Sequence, residues 1–273
     1  MGKRKKIDGV LLLDKPAGIS SNQALQQARW LYQAEKAGHG GTLDPFATGL
    51  LPVLFGEASK FGRYFLDGDK AYEAALAFGT ETDTGDLSGA QRQVPPVYSA
   101  LKVGGERAYA LARRGELPQL EAREVVIHEL RFLGMDGDGA RFFVRCSKGT
   151  YIRSLLRDMA AALGSAGHTH ALRRVAVAGL TAMTPLATLR AWQEAGDMAA
   201  LQALLLPLDC CVAHLPRVVV PPEKLRFIRN GNDIACAAPH GEVALYDGAR
   251  FFGVGEARDG RAFPQRLCAL PPV

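Results

Sequence analysis

Apolar and polar positions along this chain follow both strand and helix periods, and the order in which they do so predicts its elements. "IDGVLLLDKPAG" is a short continuous apolar run closed by a Lys-Pro-Ala-Gly turn, the pattern of a buried strand. "SSNQALQQARWLY" follows, with Leu25, Ala28, Leu31 and Tyr32 at helical spacing and Ser20, Ser21 or Asn22 placed to cap it. "KAYEAALAFG" alternates, with Tyr72, Ala74, Leu76 and Phe78 on one side, as in a half-buried strand. "EVVIHELRFLGMDGDGARFFVRCSKG" sets two β-rich runs about "DGDG" and predicts a hairpin. "TYIRSLLRDMAAALG" predicts a helix, with Ile152, Leu155, Leu156, Met159 and Leu163 as its apolar stripe, Thr150 as its cap and Gly164 as its end. Strands and helices that mix without strict alternation predict an α+β fold on a mixed, largely antiparallel sheet.

The texture changes after Pro207. Short strands, glycine turns and one helical piece around Pro222–Arg229 predict a small β-rich unit over 208–273, following a larger one over 1–207. A unit of that size is marginal by itself and is expected to lean on its neighbour. The longest apolar patches, "GVLLLD" and "LQALLLPL", fall far short of the ~20 residues a spanning helix needs. "MGKRKKIDG" is basic but has no apolar region of a signal peptide, so a cytoplasmic protein is expected, with no membrane partner. Five cysteines without a C-x-x-C pair point to reduced thiols. His168 and His170 have no matching cysteine spacing, so no metal site is expected. Net charge is +5 with pI near 9.0, which fits a polyanion partner and equally an ordinary protein with a basic tail.

"GHGGTLDPFATGLLPV" places one acid, Asp44, between a glycine run and a proline. Gly38, Gly40 and Gly41 tolerate unusual backbone angles and let a partner approach, and Pro45 pushes Asp44 towards an extended conformation. Taken locally, Asp-Pro is more simply a turn former than a ligand-facing carboxylate.

Five blocks change that balance: "GVLLLDKPAGISSN", "AGHGGTLDPFATGLLPV", "KAYEAALAFGTETDTGD", "QVPPVYSALKVGGERAYALARRGE" and "CSKGTYIRSLLRDMAAALG", in that order. Together they resemble the bacterial TruB family, the tRNA pseudouridine synthases that act on the T-loop uridine at tRNA position 55. The resemblance spans most of residues 7–185 and continues more faintly to the C-terminus. It implies a pseudouridine synthase fold followed by a small PUA-like RNA-binding domain, a monomer, the T arm of tRNA as partner, and no cofactor. It also implies that Asp44 is catalytic. Tyr72 matches a tyrosine that stacks on the target base, and Arg153, in "GTYIR", matches an arginine paired with the aspartate. His39, Tyr151 and Leu172 match positions lining the uridine pocket. Lys15 in "DKP" and Lys102 in "SALK" match basic positions near it. Considered alone, Arg153 reads as a helix-surface arginine like Arg157, Tyr72 as a core aromatic and His39 as a surface histidine.

Two departures accompany the match. Gly40 stands where the family often has threonine, which is expected to loosen the loop or remove a hydroxyl contact. Between "TDTGDLSGA" and "QRQVPP" the family usually carries about two dozen more residues. The chemistry implied needs an ionised carboxylate, which a nearby guanidinium favours and burial opposes. Arginine suits the task because it stays charged and can hold both oxygens. "KRKK", "RRGE" and "LRRV" are expected to touch phosphates. An RNA-binding folding helper with little turnover is the alternative. A glycosidase is a weaker one, because no second acid shares a motif with Asp44.

Overall fold

The computed structural model describes residues 4–78, 89–93, 102–103, 106–107, 111, 114–116, 121–137 and 139–269. The chain runs β1 (Gly9–Lys15), α1 (Ser21–Leu31), β2 (Ala37–His39), β3 (Thr48–Phe55), a 3₁₀ turn (Gly56–Phe61), α2 (Gly62–Asp67), β4 (Lys70–Phe78) and β5 (Gly89–Gln93). A two-residue pair follows, β6 (Lys102–Val103) and β7 (Glu106–Arg107), then β8 (Arg123–Asp136), β9 (Gly139–Cys146), α3 (Ile152–Ala162), β10 (Gly167–Val177), β11 (Thr184–Pro185), α4 (Leu186–Glu194) and α5 (Met198–Ala203). The last part holds β12 (Arg217–Val219), α6 (Pro222–Arg229), β13 (Ile234–Ala235), β14 (Gly241–Asp247), β15 (Arg250–Arg258) and β16 (Arg261–Leu267).

Nine strands form one sheet in the order β11-β1-β3-β10-β4-β9-β8-β5, with β2 added on β3. Only β1/β11 and β3/β10 run parallel, so the sheet is mixed and mostly antiparallel, as the pattern predicts. Strand β1 is apolar on both faces because each is covered. Leu11 and Leu13 pack under α1, α4 and α5, whereas Val10 and Leu12 face Phe61, Phe65 and, from the second sheet, Tyr246 and Phe251. Helix α1 is capped by Ser20, whose hydroxyl accepts from Gln23 N while Gln23 Oε1 accepts from Ser20 N, a reciprocal capping box. Helix α3 lays Ile152, Leu155, Leu156 and Met159 on the face of β4, β9 and β10, each worth about 1.5–3 kcal/mol when fully buried.

Two local expectations are corrected. Strand β4 is central, between β10 and β9, so Ala71 and Ala75 are buried as well as Tyr72, Ala74 and Leu76. Thr150 does not cap α3. Its hydroxyl donates to Ser147 O at 3.0 Å, and Tyr151 occupies the cap position without a side-chain bond.

The C-terminal five strands form a second sheet, β12-β14-β15-β16-β13, around Val220, Ile228, Leu245 and Phe252. Its other face shares a core with the first sheet through Tyr246, Phe251 and Val254. The small unit therefore leans on the large one, as its size requires. Strand β5 runs unbroken through Ala90–Gln91, the join where the chain is expected to be shortened, and pairs antiparallel with β8. Among the described residues no helix is long and apolar enough to cross a membrane.

Candidate active site

The stretch from Gly38 to Ala47 leaves the edge strand β2 and turns into β3, and several unrelated elements pin it. Ser21 Oγ accepts from Leu43 N at 2.7 Å, and Leu43 O lies 3.1 Å from the same hydroxyl. Gly18 N donates to Pro45 O at 2.8 Å. Lys15, fully buried, donates from Nζ to Pro16 O and Ile19 O at 2.8 Å and to Pro45 O at 3.3 Å. Burial lowers the Lys15 pKa to about 8, against the pull of Asp44, with Arg174 adding to the fall.

Arg174 is the larger anchor. It is 2% exposed and donates to Leu50 O at 2.7 Å, Thr42 O at 3.3 Å and Gly41 O at 3.2 Å. Gly41 has φ +133°, a backbone that side-chain-bearing residues rarely adopt. Gly49, at φ +100°, lets β3 approach β10 closely, since a Cβ there would lie 2.2 Å from Arg174 O. The space above Gly40 is filled by Phe65, whose Cβ is 2.6 Å from where a Gly40 Cβ would stand. The buried Phe65 side chain thus takes the room that a larger residue would occupy.

Asp44 forms the turn that the local sequence predicts and still has its side chain to spare. Its carbonyl accepts from Ala47 N at 3.1 Å, closing a turn, and its carboxylate is left for Arg153. Arg153 Nε lies 2.8 Å from Oδ2, and Nη2 donates to Oδ1 at 3.3 Å, so both oxygens are held. Arg153 stands in the first turn of α3, and β10 brings Leu172 and Arg174 to the same place.

Asp44 and Arg153 line a cleft of about 320 Å³ together with Tyr72, Tyr151, Leu172 and the floor residues Lys70 and Arg174. Asp44 is the only carboxylate among those lining residues. Burial raises the Tyr72 phenol pKa, while the neighbouring Arg174 pulls it down. Lys70 donates to Leu66 O and Gly68 O, both at 2.6 Å, and burial lowers its pKa to about 8, with Arg174 contributing. Tyr151 is clasped by Gln93, which accepts from Tyr151 N at 2.7 Å and donates to Tyr151 O at 2.9 Å; the Arg123 guanidinium lies 5.4 Å from its ring centre. One anionic group thus shares the cleft with Arg153, Lys70 and Arg174, and a cleft so charged can hold a ligand on which negative charge develops.

The expected residues divide accordingly. Asp44, Arg153, Tyr72, Tyr151 and Leu172 meet in the cleft, and Lys15 lies beneath its loop. His39, half-buried on β2 and paired with Val53, is not among the lining residues. The Lys102 side chain lies outside the described residues. Lys70, Arg174 and Gln93 were not singled out for the site. Of the two arginines in "LRRV", Arg174 is buried, which corrects the expectation that it touches phosphate, and Arg173 pairs with Asp14 at 2.7 and 3.0 Å. In "RRGE", Arg114 is paired with Glu106 and Glu116, and Arg113 lies outside the described residues. Arg4, Lys5 and Lys6 of "KRKK" are exposed, and Lys3 lies outside the described residues.

Solved structures bear out the architecture. The chain superposes on one in "Crystal Structure of a Cbf5-Nop10-Gar1 Complex" with a TM-score of 0.75 at 26% identity, covering 91% of this chain and 78% of that one. A chain of "Crystal structure of the archaeal box H/ACA sRNP Nop10-Cbf5 complex" shares the fold at TM-score 0.75 and 23% identity, covering 95% of this chain and 85% of that one. The model described as TruB family pseudouridylate synthase, N-terminal domain, matches residues 29–91 and 86–152, and C-terminal models of the same family match 153–213 and 216–268. The fold and the family are therefore those of a pseudouridine synthase, an isomerase.

More narrowly, the chain belongs to the TruB family. It is 45% identical to "tRNA pseudouridine synthase B" of Azoarcus sp. (strain BH72), over 97% of this chain and 96% of that protein. It is also 45% identical to the protein of the same name from Chromobacterium violaceum, with the same coverage. The Azoarcus alignment runs to 291 positions, longer than the 273 residues here, so that relative carries residues this chain lacks. The N-terminal match divides at 86–91, the region where the shortening is expected.

Proposed function

We propose that this protein converts the T-loop uridine at position 55 of tRNA into pseudouridine in the cytoplasm, acting as a monomer and without a cofactor. The observation that carries this is the Asp44 carboxylate held by both oxygens on Arg153 within a cleft walled by Tyr72, Tyr151 and Leu172. The reaction breaks the N1–C1′ bond, turns the uracil and joins C5 to C1′, with loss of the C5 proton and gain of one at N1. A carboxylate serves as nucleophile or as partner to a cationic sugar only when ionised, and the Arg153 guanidinium holds both of its oxygens. Tyr72 offers its ring to the base, Tyr151 and Leu172 close the pocket, and Lys15 and Lys102 support it. Lys70 and Arg174 oppose the negative charge that the uracil ring carries as the glycosidic bond opens. The uridine must leave its loop, at a cost of a few kcal/mol, and His39, at the end of β2 just before the Asp44 loop, is assigned to fill the vacancy. Residues 1–207 carry this chemistry, and 208–273 form a PUA-like unit that grips RNA.

Tritium release from tRNA labelled at uracil C5 tests the proposal. Wild type is expected to release tritium without added metal or nucleotide. Asp44→Asn is expected to release almost none while binding RNA nearly as well. Equal release by both variants refutes the assignment of Asp44, and wild-type binding without release supports the folding-helper alternative instead.

A further inference from the structure

The Asp44 cleft does not end at Leu172. The other side of that residue faces a second cleft of about 230 Å³, lined also by Phe46, Glu73, Arg141, His170 and Arg173. Phe46 is separated from Asp44 only by Pro45, and the residue is 38% exposed. A single exposed aromatic is ordinary; this one forms the wall of a cleft that adjoins the reacting carboxylate. The charged groups around it are two arginines and one carboxylate, Arg141, Arg173 and Glu73. Arg141 Nη2 stands 3.7 Å from Glu73 Oε2, too far for a hydrogen bond, and both are about half exposed. His170 is exposed, and Arg173 is fixed by Asp14. An aromatic face beside a half-exposed guanidinium, held by a loose ion pair to Glu73, suits one nucleotide of single-stranded character, with its base on the ring and its phosphate on the cation.

Extracting a base removes a stacking partner from each of its neighbours, so a ring beside the extraction site offsets part of that loss. We infer that the cleft beyond Leu172 receives the RNA nucleotide adjacent to the uridine held at Asp44, stacked on Phe46 with its phosphate near Arg141. This rests on the proposed function and adds a second subsite to it.

The test is tritium release at limiting RNA from T-arm stem-loops that are intact, or abasic immediately 5′ or immediately 3′ of the target. Phe46→Ala is expected to lower kcat/KM about tenfold on intact RNA, and Phe46→Trp to restore it. Removing the base on one side is expected to slow wild type by a similar factor, with Phe46→Ala losing nothing further on that substrate. Phe46→Leu keeps apolar bulk without the flat ring; it should lose activity as alanine does while melting as wild type does. An effect of Phe46→Ala below about twofold, losses that multiply on both abasic substrates, or full activity in Phe46→Leu overturns the inference. Wild type inert on intact RNA would instead overturn the proposed function.

Discussion

Replacing Arg174 by methionine removes a buried charge of similar bulk and leaves the carbonyls of Gly41, Thr42 and Leu50 without their donor. The Leu50 bond, at 2.7 Å, is short and charge-assisted, and such bonds contribute about 1.5–3 kcal/mol each. The bonds to Thr42 and Gly41, at 3.3 and 3.2 Å, are longer and weaker, roughly 1 kcal/mol apiece once the acceptors stay buried. The sum is on the order of 3–5 kcal/mol, in line with removing one partner from a buried charged network. That is a large share of the ~5–15 kcal/mol by which a domain is stable. Urea unfolding should show a lower midpoint at unchanged slope. Arg174→Lys should fall between, because an ammonium cannot span three acceptors around a planar fork. These carbonyls bracket Asp44, with Gly41 and Thr42 before it and Leu50 after it, so turnover per folded molecule should drop in Arg174→Met more than RNA affinity does. A stability loss below about 1 kcal/mol, or full turnover by the folded fraction, refutes the view that Arg174 holds the loop.

Gly40→Thr should destabilise by about 1–3 kcal/mol through overpacking against Phe65, and the loss should shrink when Phe65→Ala is added; additive losses in the double-mutant cycle would show that the two do not compete for one space. Lys15 has a folded pKa of about 8, below its ordinary 10.5. Between those values the unfolded chain keeps a proton that the folded one has lost, so this lysine makes stability rise with pH across the window, by on the order of 3 kcal/mol. Buried Tyr32 and Cys146 and half-buried Cys268, whose pKa values are raised, work the other way above their unfolded values. The measurable quantity is therefore the gap between wild type and Lys15→Met, which should widen in favour of wild type from pH 8 to 10.5; a constant gap contradicts the assigned burial.

Much of the fold was legible because apolar spacing and burial are two sides of one constraint. The run "GVLLLD" reads as a strand buried on both faces, and it is one, with a helical layer on one side and the second sheet on the other. Helix α6 occupies Pro222–Arg229, where proline and the apolar spacing place it. Alternation misjudged β4 because alanine is small enough to sit on either face: Ala71 and Ala75 look neutral in sequence, yet they pack in the middle of a nine-stranded sheet. Thr150 failed as a cap because a competing acceptor, Ser147 O, lay within reach of its hydroxyl. Asp44 and Arg153 lie on separate elements, and only the ordered motif blocks linked them; neither charge spacing nor periodicity joins a loop to a helix across that separation.

The cations show where such legibility ends. Arg173 and Arg174 are adjacent and chemically identical, and a charge count treats both as surface. A strand sends successive side chains to opposite faces, so at most one of them can share the face of Leu172 and its even-numbered neighbours. On β10, Arg174 shares that face and enters the cleft floor with Lys70, while Arg173 turns to Asp14. Burying a guanidinium is tolerable only where several fixed acceptors meet it, and here they are main-chain carbonyls, which carry no signature in sequence. The positive charge beneath the site thus depends on the path of the Gly41–Leu50 backbone as much as on residue identity, and the same backbone carries Asp44. A change that moves the loop must therefore disturb the carboxylate and its opposing cations together.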